Sequence, residues 1–170
     1  TSYRHDPARQ FSLSDNMVRP VLEDRRGRLW VGTFNGLDLL DRASGRFRHF
    51  RHDQYDPNSL SHDEIHYLME DRAGNVWVGT AVGLNKMVTA ADGSVSFVRY
   101  TMRDGLVDDA VAAMIEDQDG AIWVSTTNGL SRFDGYRFVN FRNAVGDPTT
   151  LASNWVRVLH VDPQGRLWIG

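Results

Sequence analysis

The side chains that could do chemistry in this sequence are histidines and closely spaced carboxylates. The chain has six histidines, 22 acidic residues and no cysteine, so disulfides, zinc–thiolate sites and cysteine nucleophiles are excluded. His62 and His66 are four residues apart, a spacing that suits two metal ligands on a helix but not on a strand. The sequence has no nucleophile elbow, phosphate-binding glycine loop or calcium loop. We therefore predict no catalytic residue, no metal site and no cofactor.

The remaining four histidines are His5, His49, His52 and His160. His5 and His52 both stand in the word "RHD", and a residue that recurs in this way is more often part of a scaffold than a catalyst. His49 is expected to face solvent from a strand. His160 replaces an apolar residue found at the matching place elsewhere in the chain, so it is expected to lie between packed units.

An internal repeat underlies these recurrences. Four tryptophans, each within an apolar–Trp–apolar triplet, are separated by 47, 46 and 45 residues. An Asp stands six residues before each Trp, and a Gly stands three residues after that Asp. The repeated positions are Leu13, Leu60, Leu106 and Leu151; Asp24, Asp71, Asp117 and Asp162; and Trp30, Trp77, Trp123 and Trp168.

Each unit contains four runs of β-favouring residues separated by turn signals. The Asp-x-x-Gly words predict hairpins closed by a left-handed glycine, with the Asp side chain accepting hydrogen bonds from its own turn. The Glu that precedes the Asp in three units is interpreted as a partner at a strand edge or between units. The run "RLWVGT" is apolar on successive residues, which is typical of a strand covered on both faces.

Four antiparallel strands in about 46 residues is the size of one β-propeller blade. We predict an all-β fold, with residues 1–170 forming a partial β-propeller: an incomplete ring of three full blades plus parts. Pro20 fits such a blade if the first strand is an inner edge. The alternative, an ordinary β-sandwich or barrel, does not explain the long-range register. The predicted units cover approximately residues 13–50, 60–100 and 106–141, with a half-blade at 151–170.

The residues at the entrance of the first strand differ from unit to unit, although a scaffold would favour similarity there. This variation is typical of a surface adapted blade by blade to a ligand, and the alternative is neutral drift at exposed positions. Trp155 could stack on a sugar ring or a flat ligand, or fill a gap between blades. Ala110 and Ala112 occupy these positions in the third unit. The predicted ligand-binding positions at the channel mouth are Met17, Arg19, Glu64, His66, Trp155 and Arg157.

Composition limits the partners. The net charge of −3 argues against nucleic acid or an anionic membrane as the partner. No apolar run approaches the roughly 18 residues of a membrane span, so we predict no direct membrane insertion by this segment.

The repeat resembles the two-component regulator propeller repeat of the periplasmic sensor regions of bacterial hybrid histidine kinases and diguanylate cyclases. The resemblance extends over essentially the whole chain, and the most specific part runs from "SLSHDEI" through "EDRAGNVWVGTAVGL" at 59–84. "DPNSLS" at 56–61 and "DPTTLAS" at 147–153 match the connection between blades. Ser125 departs from the expected Gly, and Val161 departs from the expected Glu. The resemblance implies a non-enzymatic, extracytoplasmic sensor of a membrane-anchored receptor, with a small molecule or carbohydrate as signal.

Two other classes of function remain open. A purely structural, protein-interaction propeller would have the same repeat. Streptogramin lyase-like propellers also carry a glycine–apolar–Trp motif, but these enzymes need a metal and a catalytic His on one face, whereas the repeated histidines here are in connections.

The last unit offers a first and a second strand with an unpaired edge, which is an aggregation liability. Residues 1–3 contain only the end of a fourth strand, too little to cover it. We therefore expect the partners to be neighbouring blades of a larger parent ring, or a second copy of the chain.

Overall fold

The computed structural model describes residues 2–170 as β-strands joined by turns, with a single 3₁₀ turn at Met102–Asp104. Thr1, the first residue of the predicted domain, lies outside the described residues. Blade 1 comprises β1 (Val18–Glu23), β2 (Leu29–Thr33), β3 (Gly36–Asp41) and β4 (Arg46–Phe50). Blade 2 comprises β5 (Ile65–Glu70), β6 (Val76–Thr80), β7 (Gly83–Thr89) and β8 (Val95–Tyr100). Blade 3 comprises β9 (Val111–Glu116), β10 (Ile122–Thr126), β11 (Gly129–Phe133) and β12 (Phe138–Phe141), and half-blade 4 comprises β13 (Leu159–Val161) and β14 (Leu167–Ile169).

The strands of each sheet pair antiparallel in chain order, so the first strand is always an edge. The first strands of successive blades contact one another, β1 with β5, β5 with β9 and β9 with β13. The blades therefore fan outward from their first strands in an open arc. Pro20 lies in the edge strand β1, at the irregularity of the ladder between Val18 and Val21, a position that tolerates a residue without an N–H. The prediction of an all-β fold of four-stranded antiparallel blades is confirmed.

The repeated Asp has a second role besides its turn. In the first turn of blade 2, one carboxylate oxygen of Asp71 accepts the backbone N–H of Asn75 at 2.8 Å. The other oxygen accepts the indole N–H of Trp77 at 2.9 Å. The same indole bond is 2.9 Å long in every unit: Trp30 to Asp24, Trp77 to Asp71, Trp123 to Asp117, and Trp168 to Asp162.

These hydrogen bonds act on the acidity of the carboxyl groups. Burial is the largest single influence on Asp71 and by itself raises its pKa, but the bonds from Trp77 and Asn75 together outweigh it, so the net pKa lies below the ordinary value of 3.8. The pKa values of Asp24 and Asp117 are lowered by the same balance of burial against indole and backbone hydrogen bonds. The indole hydrogen bond is the leading cause of the lowered pKa at Asp162.

The face of each blade that carries the Trp packs on the next blade. Trp30 and Phe50 belong to one apolar cluster with Ile65 and Phe97 of blade 2, and the Phe50 and Phe97 rings meet edge to face at 6.0 Å. Trp30 has no exposed surface, whereas Trp168 of half-blade 4 is 57% exposed. The burial of the Trp ring is therefore supplied by the neighbouring blade and not by its own sheet.

The glycine after each "LWV"-type triplet lets the next blade approach. A Cβ on Gly32 would lie 2.7 Å from Ile65 Cγ2, and a Cβ on Gly79 would lie 2.5 Å from Val111 Cγ1. Both neighbours are in the first strand of the following blade. Ser125 occupies this position in blade 3, where its buried hydroxyl donates to the carbonyl of Ala113 at 3.3 Å.

The Glu before the Asp joins blades at the opposite end from the strand entrances. The backbone N–H of Arg25 donates to Glu70 at 2.9 Å, and that of Arg72 donates to Glu116 at 2.6 Å. Val161 cannot accept such a bond in half-blade 4. The interpretation of this Glu as a partner between blades is confirmed by these two contacts.

The prediction for His49 is wrong. Its side chain is 21% exposed and its Nδ1 lies 2.7 Å from Asp38, which has no exposed surface. The ring is covered because the segment before blade 1 crosses it, with the carbonyl of Gln10 at 3.0 Å from Nε2. His160, expected between blades, is exposed on the same face of half-blade 4 as Trp168, a face that no other described blade covers.

Replacing Gly79 with alanine is expected to force β9 away from β6 and to lower the free energy of unfolding by about 1–3 kcal/mol, as overpacking does. The measurement is urea unfolding of Gly79→Ala, Val111→Ala and the double variant. Because Val111→Ala removes the clashing methyl groups, the double variant should lose less stability than the sum of the two single changes. Ser125→Ala, which keeps its Cβ, is the matched control. Losses that add within about 0.5 kcal/mol would show that no clash exists.

Replacing Asp71 with asparagine is expected to destabilise the protein by about 2 kcal/mol at pH 7, since the indole then bonds an uncharged group. A carboxyl group whose pKa is lowered by folding stabilises the protein above its unfolded pKa of 3.8 and loses that contribution as the pH falls through its folded pKa. The difference between the parent and Asp71→Asn should therefore shrink progressively as the pH falls below about 5. Chemical denaturation across this range measures it, with Asp119→Asn, an exposed carboxylate of a sister turn, as control. A difference that stays constant with pH would contradict the assignment.

Candidate functional site

The entrances of the first strands lie at one end of the blades, beside the turns between the second and third strands. The N–H of Phe34 donates to the carbonyl of Met17 at 3.2 Å, and the N–H of Ala81 donates to that of Glu64 at 3.1 Å. The same bond joins Thr127 to Ala110 at 3.3 Å. Six side chains predicted to bind a ligand therefore occupy equivalent places at this end of the molecule, which we call the entrance rim.

The connecting segments fix how the chain reaches this rim. In the connection to blade 2, Leu60 is fully buried between blades. Three residues later, Asp63 accepts the backbone N–H of His52 through its side chain at 2.6 Å and that of Gly36 in blade 1 through its carbonyl at 2.8 Å. In the connection to blade 3, the carbonyl of Asp109 accepts the backbone N–H of Gly83 in blade 2 at 2.6 Å, as that of Asp63 does from Gly36. The Leu and Asx positions thus set the start of the first strand, and the residues after them are free to vary.

A β-bulge occurs at the same place in the first strand of each of the three complete blades. In blade 2, Ile65 pairs with Thr80 and Tyr67 pairs with Gly79, so His66 is the extra residue. A bulge bends its strand and re-aims the side chains that it carries.

The equivalent residues in the other two complete blades are in bulges too. Ala112 is the extra residue in blade 3, and Arg19 and Pro20 together oppose a single residue in blade 1. In half-blade 4 the N–H groups of Arg157 and Val158 both donate to the carbonyl of Gly170, at 2.8 and 3.0 Å. The second of the two variable positions, which is that of Arg19, His66 and Ala112, is therefore a bulge position in the three complete blades.

Three predicted residues are brought together across blades. Arg19 of blade 1 lies 3.7 Å from a carboxylate oxygen of Glu64, and the same oxygen lies 3.1 Å from Nε2 of His66. Nδ1 of His66 lies 2.9 Å from the carbonyl oxygen of Val111 in blade 3. This polar row, Arg19–Glu64–His66, connects three blades at the entrance rim.

The row combines donor and acceptor groups. His66 faces a carboxylate and a carbonyl, and both are acceptors. Arg19 and Glu64 keep 45% and 29% of their side-chain surface exposed. The row is open to a ligand with both acceptor and donor groups.

The other three predicted residues lie outside this row. Arg157 stacks over the Trp155 ring at 5.4 Å, and Trp155 is 62% exposed. Met17 is 59% exposed in blade 1. The structure therefore presents a polar row on blades 1 and 2 and an aromatic–cation pair on half-blade 4.

Sequence reasoning missed one member of the site. The Phe34 ring lies beneath the Arg19 guanidinium, with 4.3 Å between the ring centroid and the guanidinium carbon. This contact holds the Arg19 side chain at the rim. The signal was available in principle, because "FNG", "AVG" and "TNG" differ at their first residue.

The remaining histidines have structural contacts. Nδ1 of His5 and of His52 each lies 2.7 Å from the carbonyl of the buried Leu eight residues later. Ser14, Asp38 and His49 have the residue types of a hydrolase triad, but the Ser14 hydroxyl bonds Thr33 at 2.9 Å and not the imidazole. Among residues 2–170, no group of three or more His, Cys, Asp or Glu side chains is arranged to hold a metal ion.

A cavity of about 790 Å³ lies away from the entrance-rim residues, on the outer face of blade 1. It is lined by the N-terminal segment, including Tyr3 and Phe11, and by Arg46 and Phe47 of β4. The Tyr3 and Phe47 rings meet edge to face at 5.3 Å, which repeats the Phe50–Phe97 contact between blades 1 and 2. The described part of the chain also contains no helix of the length and apolarity that crossing a bilayer requires.

Solved structures with the same fold include domains of two-component systems and a lyase. The chain superposes on the extracellular domain of a putative hybrid two-component system from B. thetaiotaomicron with a TM-score of 0.78 and 20% identity, covering 96% of this chain and 21% of that one. A second such domain from B. thetaiotaomicron gives a TM-score of 0.54 and 21% identity, with coverages of 100% and 27%. Virginiamycin B lyase from Staphylococcus aureus gives a TM-score of 0.62 and 15% identity, with coverages of 90% and 48%.

These similarities establish the fold, and the chain spans less than half of the length of each of the three structures. A comparison with curated proteins found no match. The model of the two component regulator propeller family matches four segments in register with the repeat, residues 12–35, 59–81, 105–128 and 150–170. Together these segments cover more than half of the sequence, and the chain belongs to the two component regulator propeller family.

Proposed function

We propose that this chain is a ligand-sensing part of the extracytoplasmic input region of a bacterial signal-transduction receptor, either a two-component sensor kinase or a diguanylate cyclase. Membership of the regulator propeller family supports this role. Two structures of the same fold are named as extracellular domains of putative hybrid two-component systems. The proposal places the chain outside the cytoplasm, with the receptor's output carried by other parts of that protein.

The polar row at the entrance rim is the observation that carries the sensing role. Positions that serve the scaffold repeat their contacts from blade to blade, as the Asp–Trp bond does. The row uses Arg19, Glu64 and His66 at places where blade 3 has alanines. A ligand bound there would contact side chains of blades 1 and 2 at once, and it would therefore change how tightly these two blades are joined.

The exposed aromatic–cation pair favours a carbohydrate or another small polar molecule as the signal. Trp155 offers a flat apolar surface, and Arg157 offers donors beside it. Sugar rings have both an apolar face and many hydroxyl groups, so they match such a surface.

We further propose that the chain has no catalysis of its own. The virginiamycin B lyase likeness is one of fold, at 15% identity. The histidines found in connections, His5 and His52, are occupied with main-chain carbonyls. A protein-interaction propeller is the alternative that shares this property.

The exposed face of half-blade 4 supports the proposal that another blade covers it, from the parent ring or from a second copy. Trp168 is 57% exposed, although its equivalents Trp30 and Trp77 are 0% and 3% exposed. A Trp ring left in water forfeits the favourable transfer of a large apolar surface.

Saturable binding of an oligosaccharide at the entrance rim is the expected result of a screen with neutral and uronic-acid-containing oligosaccharides. Thermal shift identifies the binder and isothermal titration calorimetry measures its affinity. Trp155→Ala and Arg19→Ala should each weaken binding by about tenfold or more, as loss of an anchoring aromatic or arginine does. Tyr136→Ala, at a still more exposed aromatic at the other end of blade 3, should leave it unchanged.

Three outcomes would oppose this proposal. Binding unaffected by both rim variants would place the site elsewhere, and no saturable binding would favour the interaction propeller. Magnesium-dependent opening of a streptogramin B substrate would instead assign a lyase activity.

Self-association that depends on Trp168 is the expected behaviour of the isolated chain. Multi-angle light scattering should show a mass above 19.3 kDa that rises with concentration, because the open Trp face binds another copy. Trp168→Glu should shift the distribution toward the monomer, and Tyr55→Glu, at an exposed loop tip, should not. A monodisperse monomer that unfolds cooperatively would contradict the expectation.

A further inference from the structure

The third and fourth strands of each blade hold the connecting segment that precedes that blade. In blade 2, the side-chain oxygen of Asn85 accepts the N–H of Ser61 at 2.9 Å. Its strand partner Arg99 donates from Nε to the carbonyl of Ser59 at 2.7 Å. We call this pair of facing residues the segment clamp.

Blade 3 has the same clamp with different residues. The Ser131 hydroxyl oxygen accepts the N–H of Val107 at 3.0 Å. Its strand partner Asn140 donates from Nδ2 to the carbonyl of Gly105 at 2.9 Å. In both blades, the third-strand residue accepts a backbone N–H and the fourth-strand residue donates to a backbone carbonyl.

Blade 1 builds the clamp from two titratable residues. Asp38 accepts the N–H of Ser14 at 2.8 Å, and its other oxygen lies 2.7 Å from Nδ1 of His49. Nε2 of His49 lies 3.0 Å from the carbonyl of Gln10. Asp38 has no exposed surface, so its carboxylate depends on these partners and not on water.

The arrangement gives the His49 ring two acceptors and no donor as partners. Both groups that face the ring, a carboxylate and a carbonyl, can only accept. The ring satisfies both only when both of its nitrogens carry hydrogen, which makes it a cation. Arg99 and Asn140 donate from the same strand position at every pH near neutrality, since neither side chain gains or loses a proton there. Blade 1 is therefore the one of the three complete blades with a proton-dependent clamp.

The other charged or titratable groups on the elements around this clamp are Tyr3, Arg4, His5, Asp6, Arg9, Asp15, Asp41, Arg46 and Arg48. Asp6 pairs with Arg9 at 3.3 Å. The Arg46 guanidinium stacks over the Phe11 ring at 5.1 Å. The Arg48 guanidinium stacks over the Phe50 ring, on the face of β4 opposite to His49.

His5 differs from His49 in the number of acceptors. It contacts one carbonyl, that of Leu13, and a neutral ring satisfies one acceptor. Among the two histidines of this region, His49 is the one whose contacts need the charged form.

We propose that the Asp38–His49 clamp is a proton-dependent latch that holds residues 2–13 on blade 1. When His49 loses its second proton, either Gln10 or Asp38 loses its donor, and the buried carboxylate is left without a cation. An unpaired buried charge is strongly unfavourable. The segment then detaches more readily, and the cavity that it helps to enclose opens. This inference is independent of the proposed sensing role.

The test imports the blade 2 residues into blade 1. The variant Asp38→Asn/His49→Arg keeps an acceptor on β3 and a donor on β4, but its donor does not titrate. Hydrogen exchange of the Ser14 and Phe47 amides, which bond Asp38 and the Phe11 carbonyl, reports on the segment. Between about pH 5 and pH 8, where histidine changes its charge, the parent is expected to lose about tenfold more protection than the variant at the same pH.

Equal pH profiles in the parent and the double variant would overturn the proposal. His49→Gln, which keeps an uncharged donor, should have weak and pH-independent protection. His52→Gln, in the equivalent connection of blade 2, should follow the parent.

A second measurement does not depend on whether the double variant folds. Two-dimensional NMR of the parent's His49 ring distinguishes the doubly protonated form from the neutral tautomers. At about pH 6, inside histidine's titration range, both ring nitrogens should carry hydrogen. A neutral tautomer with the segment still fully protected would show that no latch exists.

Discussion

The rest of the structure depends on the hydrogen bond from the indole of each Trp to the Asp of the same blade. It measures 2.9 Å in all four units. The bond ties the turn between the first two strands to the second strand, and it leaves the indole donor satisfied. A large ring with a satisfied donor can be buried without the penalty of an unpaired polar group. The next blade can therefore pack directly on it, as blade 2 does on Trp30.

Because each Trp face is buried by the following blade, stability is shared between nearest neighbours, as in other repeat proteins. Repetition also separates scaffold from function within a single chain. His5 and His52 make the same contact to the same kind of residue, and this identifies them as scaffold. The side chains of the entrance rim do not repeat their contacts from blade to blade. They differ in size and charge, while their backbone positions stay equivalent.

Much of the fold could be predicted because its signals are local and periodic. The spacing of Trp, Asp and Gly predicted the blades and their turns, and Pro20 predicted an edge strand. The indole bond could not be read from the sequence, since the turn alone already explained the Asp. His49 was misassigned because a segment far earlier in the chain covers it, and strand alternation contains no information about such a contact. The polar row was foreseen as separate positions, but its joining across blades depends on the bulge and the approach of neighbouring first strands.

The bulge in the first strand also bears on how the family diversifies. A ladder residue is constrained by the partner it faces, so replacing it usually requires a second change across the sheet. The extra residue of a bulge faces no such requirement, and here it is Arg, His and Ala in the three complete blades. Each unit therefore offers evolution one position that can be exchanged without cost to the architecture. An array of such units could acquire new recognition surfaces by single substitutions, one blade at a time.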